Sequence, residues 1–79
     1  MTPVTATLVR DLRDRAMEAG DTPSLRTVKQ CARVARDEKH ALLLIHSCEY
    51  NSLNEVLLEV LIKRLQELET RVDELERTR

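Results

Sequence analysis

The densest apolar segment of the chain covers residues 42–62 and reads LLLIHSCEYNSLNEVLLEVLI. It holds 11 of the 22 Leu, Val and Ile residues. On a helix with about 100° per residue, the apolar side chains of positions 56–62 occupy about 240° of the circumference, whereas one neighbouring helix covers only about 100°. Several of these side chains therefore stay in water within a single helical hairpin, although burying each is worth about 1.5–3 kcal/mol. We expect a second copy of the chain to cover them.

The composition indicates an all-α protein. The chain has 79 residues, of which 42% are hydrophobic and 34% are charged, and its net charge is −1. One Gly and two Pro are too few for the turns of a β-sandwich, a barrel or a phosphate-binding loop. The single aromatic residue, Tyr50, excludes sites built on stacked rings. Charged residues interrupt the first twelve positions and no apolar run is long enough to span a bilayer, so we expect a cytoplasmic protein.

Capping signals divide the chain, taken as one domain over residues 1–79, into three predicted helices: 3–19, 24–49 and 53–77. Thr2 is the expected N-cap of the first helix, and Gly20 is expected to be the left-handed residue after it. Thr22 or Ser24 begins the second helix, and Ser52 begins the third. The predicted architecture is a short N-terminal helix followed by a long antiparallel helical hairpin.

The hairpin is expected to dimerise at its corner into a four-helix core with coiled-coil character. The predicted interface consists of large apolar residues on both sides of the corner: Leu42, Leu44, Ile45, Leu57, Leu58, Leu61, Ile62 and Leu65. The alternative is a monomeric three-helix bundle in which the first helix covers the corner.

The third predicted helix carries a heptad repeat. Its two seam positions hold Leu58, Leu65 and Val72, and Leu61, Leu68 and Leu75. A parallel partner would bring Arg71 near Glu76 and Arg64 near Glu69, whereas an antiparallel partner would oppose like charges. Two arrangements stay open for the C-terminal end of this helix. Its apolar side chains can contact a second copy of the chain, or they can pack on the second helix of their own chain.

Basic residues form a ridge on the second predicted helix, where four of them recur at spacings of three and four. The candidate partner-binding or nucleic-acid-binding residues, including two on the first helix, are Arg10, Arg13, Arg26, Lys29, Arg33 and Arg36. The ridge either contacts phosphates or an acidic partner, or it is a solvated face in which Arg33 pairs with Asp37.

The sequence shows no catalytic or metal-binding pattern. Cys31, His40, His46 and Cys48 are the only soft metal ligands, and their spacing is not that of zinc sites. We therefore expect no enzymatic activity, no cofactor, no metal and no small-molecule substrate. On one straight helix the two cysteines would lie about 25 Å apart, which excludes a disulfide because its Cα atoms must be within about 7 Å.

Residues 16–29 contain the pattern Ala16, Gly20, Pro23-Ser24-Leu25-Arg26, Val28 and Lys29. This pattern resembles the start of the winged-helix domain of Kfr-type plasmid DNA-binding proteins. The resemblance implies DNA binding by the N-terminal part, followed by a long helical tail. The family's Gly-containing turn and Ser/Thr-rich recognition helix are not matched, since residues 31–36 read CARVAR and are predicted as continuous helix.

These features predict a small non-enzymatic homodimer that binds and regulates or inhibits another protein, of a bacterial or phage type. The alternative is a dimeric DNA-binding transcriptional regulator that uses the basic ridge. A third option is a structural coiled-coil component of a larger assembly.

Overall fold

The computed structural model describes residues 3–78 and contains four α-helices within them. They are α1 (Ala6–Glu18), α2 (Leu25–Val34), α3 (Glu38–Tyr50) and α4 (Leu53–Arg77). The all-α class predicted from the composition is confirmed over this part of the chain. The first three helices pack on one another and form a unit that we call the head, and α4 packs on α2 and α3. Among the described residues, no helix is both long and apolar enough to cross a membrane.

The core lies where the three helices of the head meet. Its largest fully buried side chains are Leu12, Val28, Cys31 and Ile45. Small side chains at the contacts allow the helices to approach closely; they are Ala16, Ala32, Ala35 and Ala41. The first half of α4 adds Val56 and Val60 to this core, and no residue of α4 beyond them is buried.

The predicted continuous helix over residues 24–49 is wrong, because the structure interrupts it after Val34. Ala35 is extended, with a ψ of 146°, and Asp37 is extended as well. The Asp37 carboxylate accepts a hydrogen bond from the His40 backbone N–H at 2.8 Å, which makes Asp37 the N-cap of α3. No Gly, Pro, Asn or Ser lies between Leu25 and His46, but an aspartate can also cap a new helix.

Burial favours this interruption. It folds α3 back onto α1 and α2, and Ala41, Leu44 and Ile45 thereby enter the core. If the chain continued as one straight helix, these side chains could not pack in a three-helix core. Each large one would then lose about 1.5–3 kcal/mol of burial free energy. The long two-helix hairpin predicted from the sequence is therefore replaced by a three-helix head from which α4 extends.

The other helix ends follow local capping chemistry. Thr5 caps α1, which begins later than predicted, and the expected cap Thr2 lies outside the described residues. Gly20 has a φ of 96°, so the prediction of a left-handed residue there is confirmed. The hydroxyls of Ser24 and Ser52 accept backbone N–H groups three residues further on and cap α2 and α4.

The loop between α1 and α2 is attached to α3. Asp21 is the one buried charged residue among those described, and its carboxylate oxygens lie 3.0 and 3.1 Å from Nδ1 of His46. The Thr22 backbone N–H donates to Oε1 of Glu49 at 2.9 Å. These contacts fix the start of α2 against the outer side of α3.

We predict that Asp37→Ala lowers the stability of the head, because the first turn of α3 loses its capping acceptor. The expected loss is about 1 kcal/mol, which lowers the melting temperature by about 4–8 °C for a domain of this size. Thermal unfolding followed by circular dichroism measures it. Asp37→Asn keeps a capping oxygen and serves as the matched control, so equal melting temperatures for the two variants would contradict the assigned cap.

Candidate interaction surfaces

An apolar seam runs along one side of α4 and is open to water. Each of its side chains is between 52% and 67% exposed. The seam consists of Leu58, Leu61, Leu65, Leu68, Val72 and Leu75. Large apolar side chains in this heptad spacing are typical of helices that pair in a coiled coil. The seam residues near the C-terminal end of α4 are exposed. They therefore do not pack on α2 of their own chain, which was one of the two arrangements that the sequence left open.

The head and the seam use different sides of α4. Val56 and Val60 face the core, and on the same side the Arg64 guanidinium donates to the Val34 carbonyl and Glu67 forms an ion pair with Arg36. At 100° per residue, Val56, Val60 and Glu67 lie about 130° around the helix axis from the middle of the seam, and Arg64 lies between them and the seam. A second helix can therefore approach the seam without displacing the head.

The predicted dimer interface divides into two sets of residues. Leu44 and Ile45 are only 7% and 0% exposed, because they belong to the core of their own chain. This corrects the expectation that they form part of the interface, and Leu42 is likewise partly buried against that core. The members on α4 remain accessible: Leu57 is half-buried, and Leu58, Leu61, Ile62 and Leu65 are exposed.

Residues of opposite charge flank the seam. Arg71 and Glu76 are both exposed, on opposite sides of it, and Arg64 and Glu69 stand one heptad earlier. Closer to the head, the same two flanking positions hold an apolar pair, Leu57 and Ile62, of which Ile62 is 48% exposed. The flanks thus change from apolar near the head to charged near the C-terminal end of α4.

The structure brings together only part of the predicted basic ridge. Arg10, Arg26 and Lys29 line a groove between α1 and α2, which we call the basic groove. Arg33 is exposed further along α2, Arg36 is engaged by α4, and Arg13 is half-buried on α1. Asp37, the partner expected for Arg33, caps α3.

A second groove, which we call the apolar groove, lies between α1 and α3 and was not predicted from the sequence. Its floor includes Leu42 and Leu43, and Leu43 is 58% exposed. Its rim carries Arg15, Lys39 and His46, which are exposed, and the buried Asp21 lies beside His46. Because the groove exists only where α3 folds back beside α1, no pattern within the sequence indicated it.

The two cysteines lie close together at the contact of α2 and α3. Their Sγ atoms are 3.8 Å apart, with Cys31 buried and Cys48 half-buried. The separation of about 25 Å predicted for one straight helix is therefore wrong, and both cysteines are free thiols in the structure. Burial, followed by the nearby Cys48 thiol, raises the pKa of Cys31 to about 12, and burial also raises the pKa of Cys48. Among the described residues, no three His, Cys, Asp or Glu side chains converge on a point that could hold a metal ion.

Comparison with known proteins gives no relative from which a role could be transferred. No family model, no curated protein and no solved structure matches the chain. A functional proposal for this protein therefore depends on the seam, the two grooves and the cysteine pair.

Proposed function

We propose that this chain is a non-enzymatic homodimeric regulator that binds another protein, with α4 as its dimerisation element and the head as its binding unit. The exposed seam of α4 is the observation that carries the proposal. Six apolar side chains in heptad spacing, all more than half exposed, are a large apolar surface for a chain of 79 residues. Burial against an identical helix removes this surface from water and closes the assembly at two copies.

The flanking residues favour a parallel pair. In a parallel coiled coil, Arg71 of each copy lies near Glu76 of the other, and Leu57 lies near Ile62. Arg64 uses one N–H group on the Val34 carbonyl, and its remaining donors are available to Glu69 of the second copy. An antiparallel pair would bring arginine towards arginine and glutamate towards glutamate, which is unfavourable.

A parallel dimer presents its two heads at the same end. α4 begins at Leu53, directly after the head, so both heads adjoin the N-terminal end of the shared coiled coil. Two identical binding surfaces on one rigid support can engage two sites of a symmetrical partner at once. The second contact is then intramolecular, which raises the overall affinity without any new interaction.

The apolar groove is the surface of the head that suits a protein partner. It has an apolar floor at Leu42 and Leu43 and a polar rim, which is the usual anatomy of a protein interface. The rim is not suited to phosphates, since Asp21 and Glu38 introduce negative charge beside its basic residues. We therefore assign the partner-binding role to this groove, with Leu43 as its most exposed apolar residue.

We predict that Leu61→Asp converts the dimer to a monomer, because it places a carboxylate in the middle of the seam on both chains. Sedimentation equilibrium measures the change, and circular dichroism is expected to show reduced helicity from the unpaired end of α4. Leu43→Asp is the matched control, as it introduces the same charge on the head, and it is expected to remain dimeric. A wild-type chain that sediments as a folded monomer at tens of micromolar would overturn the proposal.

A charge reversal on α4 tests whether the two helices of the dimer are parallel. Arg71→Glu alone is expected to weaken the dimer about three- to tenfold, because each new glutamate faces Glu76 of the other copy. Combining it with Glu76→Arg restores opposite charges in a parallel pair and is expected to recover the wild-type dissociation constant. Failure of the double variant to recover would argue against the parallel arrangement.

We further predict that Leu43→Asp abolishes binding of the protein partner while the dimer is retained. Immobilised wild-type chain and variant are exposed to the soluble proteins of the native host, and retained proteins are quantified by mass spectrometry. The partner is expected among proteins retained by the wild type and lost from Leu43→Asp. Identical retention by both would show that the apolar groove is not the binding surface.

A dimeric DNA-binding regulator is the second candidate, and the interruption at Ala35–Asp37 is the observation that favours it. A helix-turn-helix needs two helices joined by a short turn, and α2 and α3 meet this requirement. The observed break removes the predicted continuous helix over residues 31–36, whereas the Gly-containing turn and the Ser/Thr-rich recognition helix of the Kfr-type pattern remain unmatched. The basic groove adds Arg10, Arg26 and Lys29 as candidate phosphate contacts. The outer side of α3, which would enter the major groove, exposes Leu43 and carries little positive charge, and this favours the protein partner.

The DNA hypothesis predicts that Arg26→Glu combined with Lys29→Glu abolishes binding to duplex DNA. Fluorescence anisotropy at low and physiological salt measures it, and a steep loss of affinity with salt is the expected signature of phosphate contacts. The control combines Lys63→Glu with Arg77→Glu, which changes the net charge equally but lies on α4. No binding of the wild type even at low salt would remove this candidate.

A further inference from the structure

We propose that Cys31 and Cys48 form a dithiol site that small disulfides, such as oxidised glutathione, convert into an intramolecular disulfide. The inference does not depend on the proposed function, since both cysteines lie within the head of a single chain. It rests on the placement of the two thiols by the fold and on their unequal access to solvent.

The geometry needs only a small adjustment. The Sγ atoms are 3.8 Å apart across the contact of α2 and α3. A disulfide bond is about 2.05 Å long, so the sulfur atoms must approach by about 1.8 Å to form it. The two residues are separated by the turn at Ala35–Asp37, and this turn is what brings them together.

The two thiols have different exposures and therefore different roles. Cys48 is half-buried and is the thiol that a reagent in solution can reach, whereas Cys31 is 0% exposed. Burial raises the pKa of both thiols, so both are protonated at neutral pH. Only the thiolate attacks a disulfide, so the reaction is expected to be slow at pH 7 and to accelerate as the pH rises.

The reaction balances in two exchange steps. The Cys48 thiolate attacks one sulfur of oxidised glutathione, its S–S bond breaks, and one glutathione leaves as a thiol after taking up the proton lost by Cys48. The Cys31 thiolate then attacks the Cys48 sulfur of the mixed disulfide and expels the second glutathione, which takes up the proton from Cys31. The protein loses two hydrogen atoms, and one oxidised glutathione becomes two reduced molecules.

The bond would join α2 to α3 within the head. It closes a loop over residues 31–48 that includes the turn, and it therefore restricts the unfolded chain more than the folded one. The oxidised head keeps its fold and becomes harder to unfold. The groove between α1 and α3 keeps its shape, because the bond lies on the side of α3 that faces α2.

Incubation of the reduced full-length chain with excess oxidised glutathione at pH 8 tests the proposal. Intact-mass spectrometry is expected to show the loss of two hydrogen atoms per chain with no retained glutathione, and peptide mapping is expected to find Cys31 linked to Cys48. The melting temperature is expected to rise by about 10 °C or more, and a dithiol reductant should reverse the rise.

Two matched variants test the order of the steps. Cys31→Ala leaves the accessible thiol without its partner and is expected to retain one glutathione at Cys48. Cys48→Ala leaves only the buried thiol and is expected to stay unmodified while it is folded. Circular dichroism checks the fold of each variant, and acid quenching of the wild-type reaction at short times offers the same test through a transient glutathione adduct.

Three results would overturn the proposal. They are a wild-type chain that stays unmodified under conditions in which the unfolded chain reacts, one that retains glutathione stably, or one that forms disulfides between chains. Each would show that the two thiols do not close on one another within the folded head.

Discussion

The hydrogen bond from the His40 backbone N–H to the Asp37 carboxylate is the local contact on which the rest of the structure depends. It begins a new helix where Ala35 is already extended, and so it allows the chain to reverse between α2 and α3. The reversal completes the head, because it places Leu44 and Ile45 in its core. The same turn brings the two cysteines together and forms the apolar groove between α1 and α3.

α4 has two roles that occupy different sides of one helix. Its first turns anchor it to the head through Val56 and Val60, and Arg64 extends this contact to the end of α2. The seam lies on another side of the helix, and its side chains are more than half exposed in the single chain. The core of the head does not include the seam residues. The seam can therefore pair with a second copy without removing any core contact, and this is the basis of the proposed dimer.

The excess of apolar residues near the corner was visible in the sequence, but their assignment to surfaces was only partly predictable. The number of apolar side chains around a helix indicates how much apolar surface has to be buried. The exposed apolar residues of α4 agree with the excess that this number predicts. The number does not tell which neighbour covers each side chain. Leu44 and Ile45 are predicted to meet a second chain, whereas they are buried in the core of their own chain, because the turn before α3 folds them inward.

The sequence by itself determined the features that depend on neighbours within one or two helical turns: the all-α class, the bounds of α4, the cap at Ser52, the glycine conformation at position 20, and the heptad repeat. Tertiary structure alone decided where the middle helix breaks, which basic residues share a groove, and how close the cysteines lie. The physical reason is that a helix break at Ala35–Asp37 has little local preference over continuation. The Asp37 cap contributes only about 1 kcal/mol to the break, so burial of side chains against distant parts of the chain resolves that choice.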